Sequence, residues 1–301
     1  MARAGSGGAV AGLARMSAPG RLALAGFALA LASSLGAQAA RAQRTELVSR
    51  AELRVCADPN NLPFSNEAGE GFENRISRLI ADDLGLPVTY VWFPQVVGFV
   101  RNTLRTRQCD LVPGTVGGDG VLDTTNPYYH TAYMVVTRAA DGIEADSLGD
   151  PVFADKRIGV VAATPPSDLL LRHGLMPRVH PYRLAVDTRV EAPARRMLQD
   201  LAEGKIDVAL VWGPIAGYAI KREGLPLRAV FLRPEPDAPR MDYRVAMGVR
   251  SGEPEWRRRV NQALRRKQDD IAAVLADYGV PVMDEQRPAQ DRPAAPVPPR
   301  P

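Results

Sequence analysis

The stretch LRVCADPNNLPFSNEAGEGFENRISRLIADDLG, residues 53–85, decides the fold. It opens on the apolar run Leu53–Ala57, which stops at Asp58-Pro59-Asn60-Asn61-Leu62-Pro63, because Pro and Asn favour turns over a continued strand. After Gly71 the pattern changes period. Ile76, Leu79, Ile80 and Leu84 recur at helical spacing, Arg75, Arg78, Asp82 and Asp83 fall on the other side, and Gly85 supplies the stop. Residues 88–93 are β-branched and aromatic and predict a strand. Residues 97–107 predict a second helix through Val100 and Leu104, and Asp110-Leu111-Val112 a third short strand. This alternation calls for a parallel sheet covered by helices, joined right-handedly.

A second unit of the same kind follows. Residues 157–161 predict a strand, 166–173 a helix, 194–203 a helix closed by Gly204, 207–211 a buried strand, 214–222 a helix and 245–249 a strand. Residues 253–278 carry the longest helical pattern, with Trp256, Val260, Leu264, Ile271, Val274, Leu275 and Tyr278 apolar. RTRQCDLV (105–112) and LAEGKIDVALV (201–211) share a layout: a helix end, a turn, then an Asp-led apolar strand. Two α/β lobes with loops at the carboxyl ends of their strands make a cleft between them.

The chain's ends read differently. Residues 22–35 (LALAGFALALASSL) form a fourteen-residue apolar run preceded by Arg21 and followed by small residues. A spanning helix needs about 20 apolar residues, so residues 1–42 are expected to be a cleaved secretory signal peptide, cut between Ala39 and Gln43. An uncleaved anchor is the competing reading, and no span is expected in the mature protein. Residues 287–301 are Pro/Ala-rich without periodicity and are expected to be a disordered tail. The whole chain of 301 residues has a formal net charge of +4. Residues 1–42 hold four arginines and no acid, so without them 34 basic residues face 34 acidic ones. The basic balance therefore belongs to the export signal, and no nucleic-acid partner is expected. The basic clusters at 257–259 and 265–267 have Glu253, Glu255, Asp269 and Asp270 beside them and read as a solvated helix face. Export places the protein in the periplasm, where disulfides persist. Cys56 and Cys109 are then a candidate disulfide, two separate buried thiols being the alternative.

The blocks beginning LRVCADPNN, then QCDLVPGTV, TTNPYY and KIDVALVWGPIAGYAIKREG, resemble the type II periplasmic solute-binding fold over nearly the whole mature chain, an α/β fold of two lobes with a cleft and two crossover strands. Within it, CADPNNLPFSN, GFENRI, GFVRNTL and WGPIAGY are most similar to the J proteins of methanol oxidation systems, the MoxJ, MxaJ and XoxJ types. The resemblance implies crossovers near residues 133–137 and 240–245. The first lobe would then comprise residues 43–137 and 240–286, and the second 138–239. It also implies a non-enzymatic periplasmic accessory protein that binds a PQQ-dependent alcohol dehydrogenase and assists its maturation or activation. The alternative is an ABC-transporter solute-binding protein that hands a small ligand to a permease.

Amino-acid binders of this fold hold their zwitterion with an Arg after the third strand and an Asp at the end of the DVALV-like strand. This sequence has Gly118 and Trp212 at those places. A buried zwitterion without partners is strongly disfavoured, so a standard amino acid is not the expected ligand. The expected cleft wall is Asp58, Asn60, Asn61 and Phe64 from the first loop, Thr115 from the third, Tyr128 and Tyr129 before the crossover, and Trp212 from the second lobe. These suit a planar or carbohydrate-like ligand or anchors for a partner protein, with plain interlobe packing as the competing reading. For Asp58, capping its own loop competes with ligand contact. HExxH, C-x-x-C-H, Walker A, GxGxxG and G-x-S-x-G patterns do not occur, so no catalytic residue, metal or cofactor is expected.

Overall fold

The computed structural model describes residues 46–116, 122–184 and 186–283. The apolar run at 22–35, Gly118 and the Pro-rich tail lie outside the described residues. In chain order the elements are β1 Leu53–Ala57, β2 Asn60–Asn61, β3 Ser65–Asn66, α1 Phe72–Leu84, β4 Val88–Trp92, α2 Phe99–Asn102, β5 Val112–Val116, β6 Asp123–Thr124 and β7 Tyr129–Arg138. They continue with β8 Ile158–Val161, α3 Pro165–Arg172, β9 Val179–Tyr182, α4 Pro193–Ala202, β10 Val208–Trp212, α5 Gly213–Lys221, β11 Leu227–Phe231, β12 Asp242–Val249, α6 Pro254–Arg266 and α7 Gln268–Asp277.

The helix predicted from residue 71 onward forms as α1. Its N-terminus is closed by Asn74, whose side-chain oxygen accepts from the backbone N–H of Gly71 at 3.1 Å and of Asn66 at 3.1 Å. Gly85 ends it in the left-handed region (φ 67°), a conformation that suits glycine. Phe72, Ile76 and Ile80 face inward with Val55, Trp256, Val260 and Ile271 to make the first lobe's core. In the second lobe, Phe153, Ile158, Leu169 and Leu170 form one core cluster, and Met197, Leu198, Leu201 and Ala216 form another.

Parallel pairing holds for β1 with β4 and for β8 with β9 and β10. The expected parallel sheet gives way to antiparallel pairing at the crossovers. β7 pairs antiparallel with β12 along its first half, from Tyr129↔Val245 to Ala132↔Asp242. Along its second half it pairs antiparallel with β10, from Tyr133↔Trp212 to Val136↔Ala209, and with β11. One ten-residue strand thus passes from one lobe into the other, and it starts four residues before the expected 133–137.

Other expectations shift too. Of the helix predicted over 97–107 only α2 is α-helical, opened by Gly98 at φ 96°, after which the chain turns toward Cys109. The long helix at 253–278 is two helices, broken at Lys267 (φ −101°, ψ 13°), so that Ile271, Val274 and Leu275 can reach the core. The strand expected at 110–112 begins at Val112, with Leu111 bridging Val55 instead. Cys56 and Cys109 are joined by a disulfide, with Cα atoms 5.5 Å apart.

The internal repeat read from the Asp-led strands has a physical counterpart. Asp110 donates its backbone N–H to Arg54 O at 2.8 Å while its carboxylate takes the Arg54 guanidinium at 2.7 and 2.8 Å. Asp207 does the same with Arg157: N–H to carbonyl at 2.8 Å, carboxylate to guanidinium at 2.9 and 2.8 Å. In each lobe an Asp just ahead of a strand holds, in a bidentate pair, an Arg at the entry of an earlier strand, Arg54 at β1 and Arg157 just before β8. The first copy is the more buried, and Arg250 adds a second guanidinium to Asp110.

The lobes also meet beside the crossovers. Gly217 of α5 lies against Gly279, whose carbonyl would be 1.8 Å from a Cβ at 217. Tyr218 stacks on Tyr278 at 6.1 Å, and Lys221 Nζ donates to Ala276 O at 2.6 Å.

Candidate functional site

A cavity of about 710 Å³ lies between the lobes. Its walls come from the loop after β1, from β5 and β7, from the ends of β8 and β10, and from the segment before α4. This is where the strand ends of the two α/β units converge, the usual ligand position in open α/β sheets.

Six of the eight residues expected in the wall line it: Asn60, Asn61, Phe64, Thr115, Tyr129 and Trp212. Trp212 ends β10 and precedes α5, with its ring 5.2 Å from Tyr133 and 5.7 Å from Tyr243. Tyr133 and Tyr243 also line the cavity, so three aromatic side chains form one patch of wall. Burial pushes the Tyr133 hydroxyl up to about 12, and it stays a neutral donor. Phe64 packs on Phe72 at 5.4 Å, and Tyr129 packs on Phe72 edge-on at 6.2 Å.

Two expected wall residues sit elsewhere. Tyr128 is turned into the first lobe, donating its hydroxyl to Pro113 O at 2.9 Å. Burial pushes that hydroxyl well above its usual range. Asp58 is 1 % exposed and is not part of the cavity wall. Its carboxylate accepts from the backbone N–H of Asn60 at 2.9 Å and of Gln95 at 2.6 Å. These are the loop-closing bonds an Asp before Pro readily makes. Its remaining capacity crosses the cleft: the hydroxyl of Thr188 donates to both carboxylate oxygens, at 2.8 and 2.9 Å. Asn60 adds a bond from Nδ2 to Thr188 O at 2.9 Å. Asp58 and Asn60 therefore latch the mouth of the cleft from the first lobe to the second.

Sequence reading missed Thr188, Tyr133 and Tyr243 as wall residues, and also Glu73. Glu73 lies in the first turn of α1 and lines the cavity although only 6 % of it is exposed. Its spacing offered a signal, since Glu73, Ser77 and Ile80 fall on the buried side of one helix (i, i+4, i+7). Gly114 on β5 makes room for it, since a Cβ there would lie 2.1 Å from its Oε1. Burial, then the nearby Asp58 charge, push the Glu73 carboxyl up to about 8. Arg183, Glu191 and Arg195 of the second lobe also line the cavity; Arg195 pairs with Glu223 at 2.8 Å, and Arg183 lies 3.9 Å from Glu191.

Comparison with known proteins accords with this architecture. The family of bacterial extracellular solute-binding proteins, family 3, matches residues 53–279. Protein MoxJ of Paracoccus denitrificans is 28% identical over 262 residues, covering 82% of this chain and 95% of MoxJ. The crystal structure of the periplasmic binding protein XoxJ from Methylobacterium extorquens AM1 superposes with a TM-score of 0.67 at 43% identity, over 77% of this chain and all of XoxJ. That of MxaJ from Methlophaga aminisulfidivorans MPT superposes with a TM-score of 0.67 at 26% identity, over 77% of this chain and all of MxaJ. With the type II fold, the interlobe cleft and full-length similarity to these proteins together, the chain belongs to the bacterial extracellular solute-binding proteins of family 3, within the group of MoxJ, MxaJ and XoxJ.

Proposed function

We propose that this protein is a non-enzymatic periplasmic accessory factor of a PQQ-dependent alcohol dehydrogenase, such as a methanol dehydrogenase, and assists its maturation or activation by binding it. The observation that carries the reading is the similarity to MoxJ and XoxJ along essentially their whole lengths. The second support is local: the end of β10, where an amino-acid carrier of this fold places an acid, carries Trp212 in an aromatic patch. Trp and Tyr are frequent anchors of protein interfaces. In this reading Asn60, Asn61, Phe64, Thr115, Tyr129 and Trp212 contact a ligand or partner, and residues 1–42 are removed on export. The test is affinity capture of the tagged protein from the periplasm of cells growing on methanol, followed by sedimentation of the purified pair. Co-purification of the dehydrogenase and a mixed species in the centrifuge are expected. A dehydrogenase that neither co-purifies nor changes in activity when the accessory gene is deleted would overturn the reading. N-terminal sequencing of the captured protein tests the export step, with a start between residues 40 and 43 expected.

The size of the cleft supports a second reading, a solute receptor for an ABC permease handling a ligand other than a standard amino acid. Ligand-dependent stimulation of the permease's ATPase in proteoliposomes would distinguish it.

A further inference from the structure

Glu73 stands out among the cavity residues because its carboxyl has no hydrogen-bond or ion-pair partner among the described residues, although it is only 6 % exposed and lines the cleft. The carboxyl opens onto the cavity rather than being sealed in the core, and the lack of a side chain at Gly114 leaves room for it there. The titratable groups nearest it are Asp58 from the first loop, Tyr128 just before β7 and Tyr129 at its start. None of them can be a cation, and each Tyr is itself pushed upward by burial and by the Glu73 charge. On its own helix Arg75 turns outward to Asp277, at 2.5 Å. The same cavity is lined by the aromatic patch of Trp212, Tyr133 and Tyr243 and by Arg183, Glu191 and Arg195 of the second lobe, where Arg195 is paired with Glu223 and Arg183 lies 3.9 Å from Glu191.

We propose that the cleft is a binding site for a small organic monocation, a protonated amine on an apolar or aromatic body, with its ammonium on the Glu73 carboxylate and its body against the aromatic wall. The carboxylate provides the charge-assisted acceptor, and aromatic faces favour a cation and its apolar substituents. A ligand carboxylate at this position is disfavoured, because it would add a further anion beside Glu73, which already has Asp58 near it. In the empty cleft at neutral pH, burial and Asp58 hold Glu73 largely protonated. An arriving ammonium ionises it: the carboxyl O–H breaks, its proton passes to buffer, and the ligand keeps its own proton.

Amine binding is measured on the isolated protein without the dehydrogenase, so a failure here leaves the outcome of the capture experiment unaffected. Calorimetric titration at pH 7 would use benzylamine and butylamine as cations, with benzyl alcohol and benzoate as neutral and anionic controls, in phosphate and in MOPS, neither of which carries a primary ammonium. The expected result is binding of an amine at least about tenfold tighter than benzyl alcohol, as for a charge-assisted bond, with benzoate weaker still. The apparent enthalpy should differ between the two buffers in the sense of proton release. Glu73→Gln, which mimics the protonated carboxyl, should lose the amine preference and the buffer dependence while leaving the circular dichroism spectrum unchanged. No amine binding, equal binding of benzyl alcohol, or an enthalpy indifferent to buffer would each overturn the proposal, and all three are read on the unmutated protein.

Discussion

Thr188→Val tests whether the latch at the cleft mouth holds the lobes together. Valine keeps the β-branched shape and removes only the hydroxyl that donates to both oxygens of Asp58. The carboxylate keeps its two backbone donors, Asn60 and Gln95, on its own lobe, so the first loop should keep its form. A hydrogen bond to a charged group contributes about 1.5–3 kcal/mol. That is roughly a 10- to 150-fold shift of the closed-to-open ratio toward open. The contacts beside the crossovers, including Tyr218 on Tyr278, are untouched, so opening should be a rotation about that side rather than unfolding. Single-molecule energy transfer between dyes on the two lobes across the mouth is the assay. The valine variant should populate a longer distance that the unmutated protein rarely visits, and Thr188→Ser, which keeps the hydroxyl, should behave as the unmutated protein. Distance distributions indistinguishable among all three would refute the Asp58 half of the latch, since the Asn60 Nδ2 bond to Thr188 O is kept in every variant.

Reducing the Cys56–Cys109 disulfide releases a loop with a sequence separation of 53. Chain-entropy reasoning puts the loss at about 4 kcal/mol, or roughly 8–16 °C in melting temperature for a domain of this size; a shift under about 2 °C with both thiols shown free by mass would contradict this. Gly217→Ala places a Cβ 1.8 Å from the Gly279 carbonyl and should cost about 1–3 kcal/mol through forced separation of α5 from the C-terminal segment, read as a lower urea midpoint. Asp207 is held below the usual carboxylate range by its hydrogen bonds to Arg157 and Arg138. A carboxyl depressed on folding stabilises above its unfolded pKa and loses that contribution as pH falls toward its folded one. Asp207→Asn should therefore be the less stable protein at pH 6, with the gap narrowing below about pH 4; urea midpoints whose difference does not change with pH would argue against the pair.

Much of the architecture was legible in the chain because it rests on local periodicity. The turn signals at Asp58–Pro63, the helical spacing of Ile76, Ile80 and Leu84 and the stop at Gly85 each depend on residues a few positions apart. The matched Asp-led strands announced two similar lobes, and Trp212 at the end of β10 marked the departure from a charged clamp. The break at Lys267 was not legible, because the apolar pattern runs on through it and only packing makes the chain turn.

What the tertiary structure alone decided concerns groups distant in sequence. Asp58 serves the loop and the latch because Thr188, 130 residues away, brings a hydroxyl to it. Tyr128 and Tyr129 are neighbours in sequence, yet only Tyr129 borders the cavity, since the Tyr128 hydroxyl is drawn back to Pro113. Glu73 reads in sequence as one more acid in a helix's first turn, and becomes a cavity group only because Gly114 on another strand leaves it space. Sequence periodicity determines which face of an element is buried. Whether a buried polar group finds a partner depends on what folding brings opposite it, and that is why the lobes could be read from the chain and the chemistry of their cleft could not.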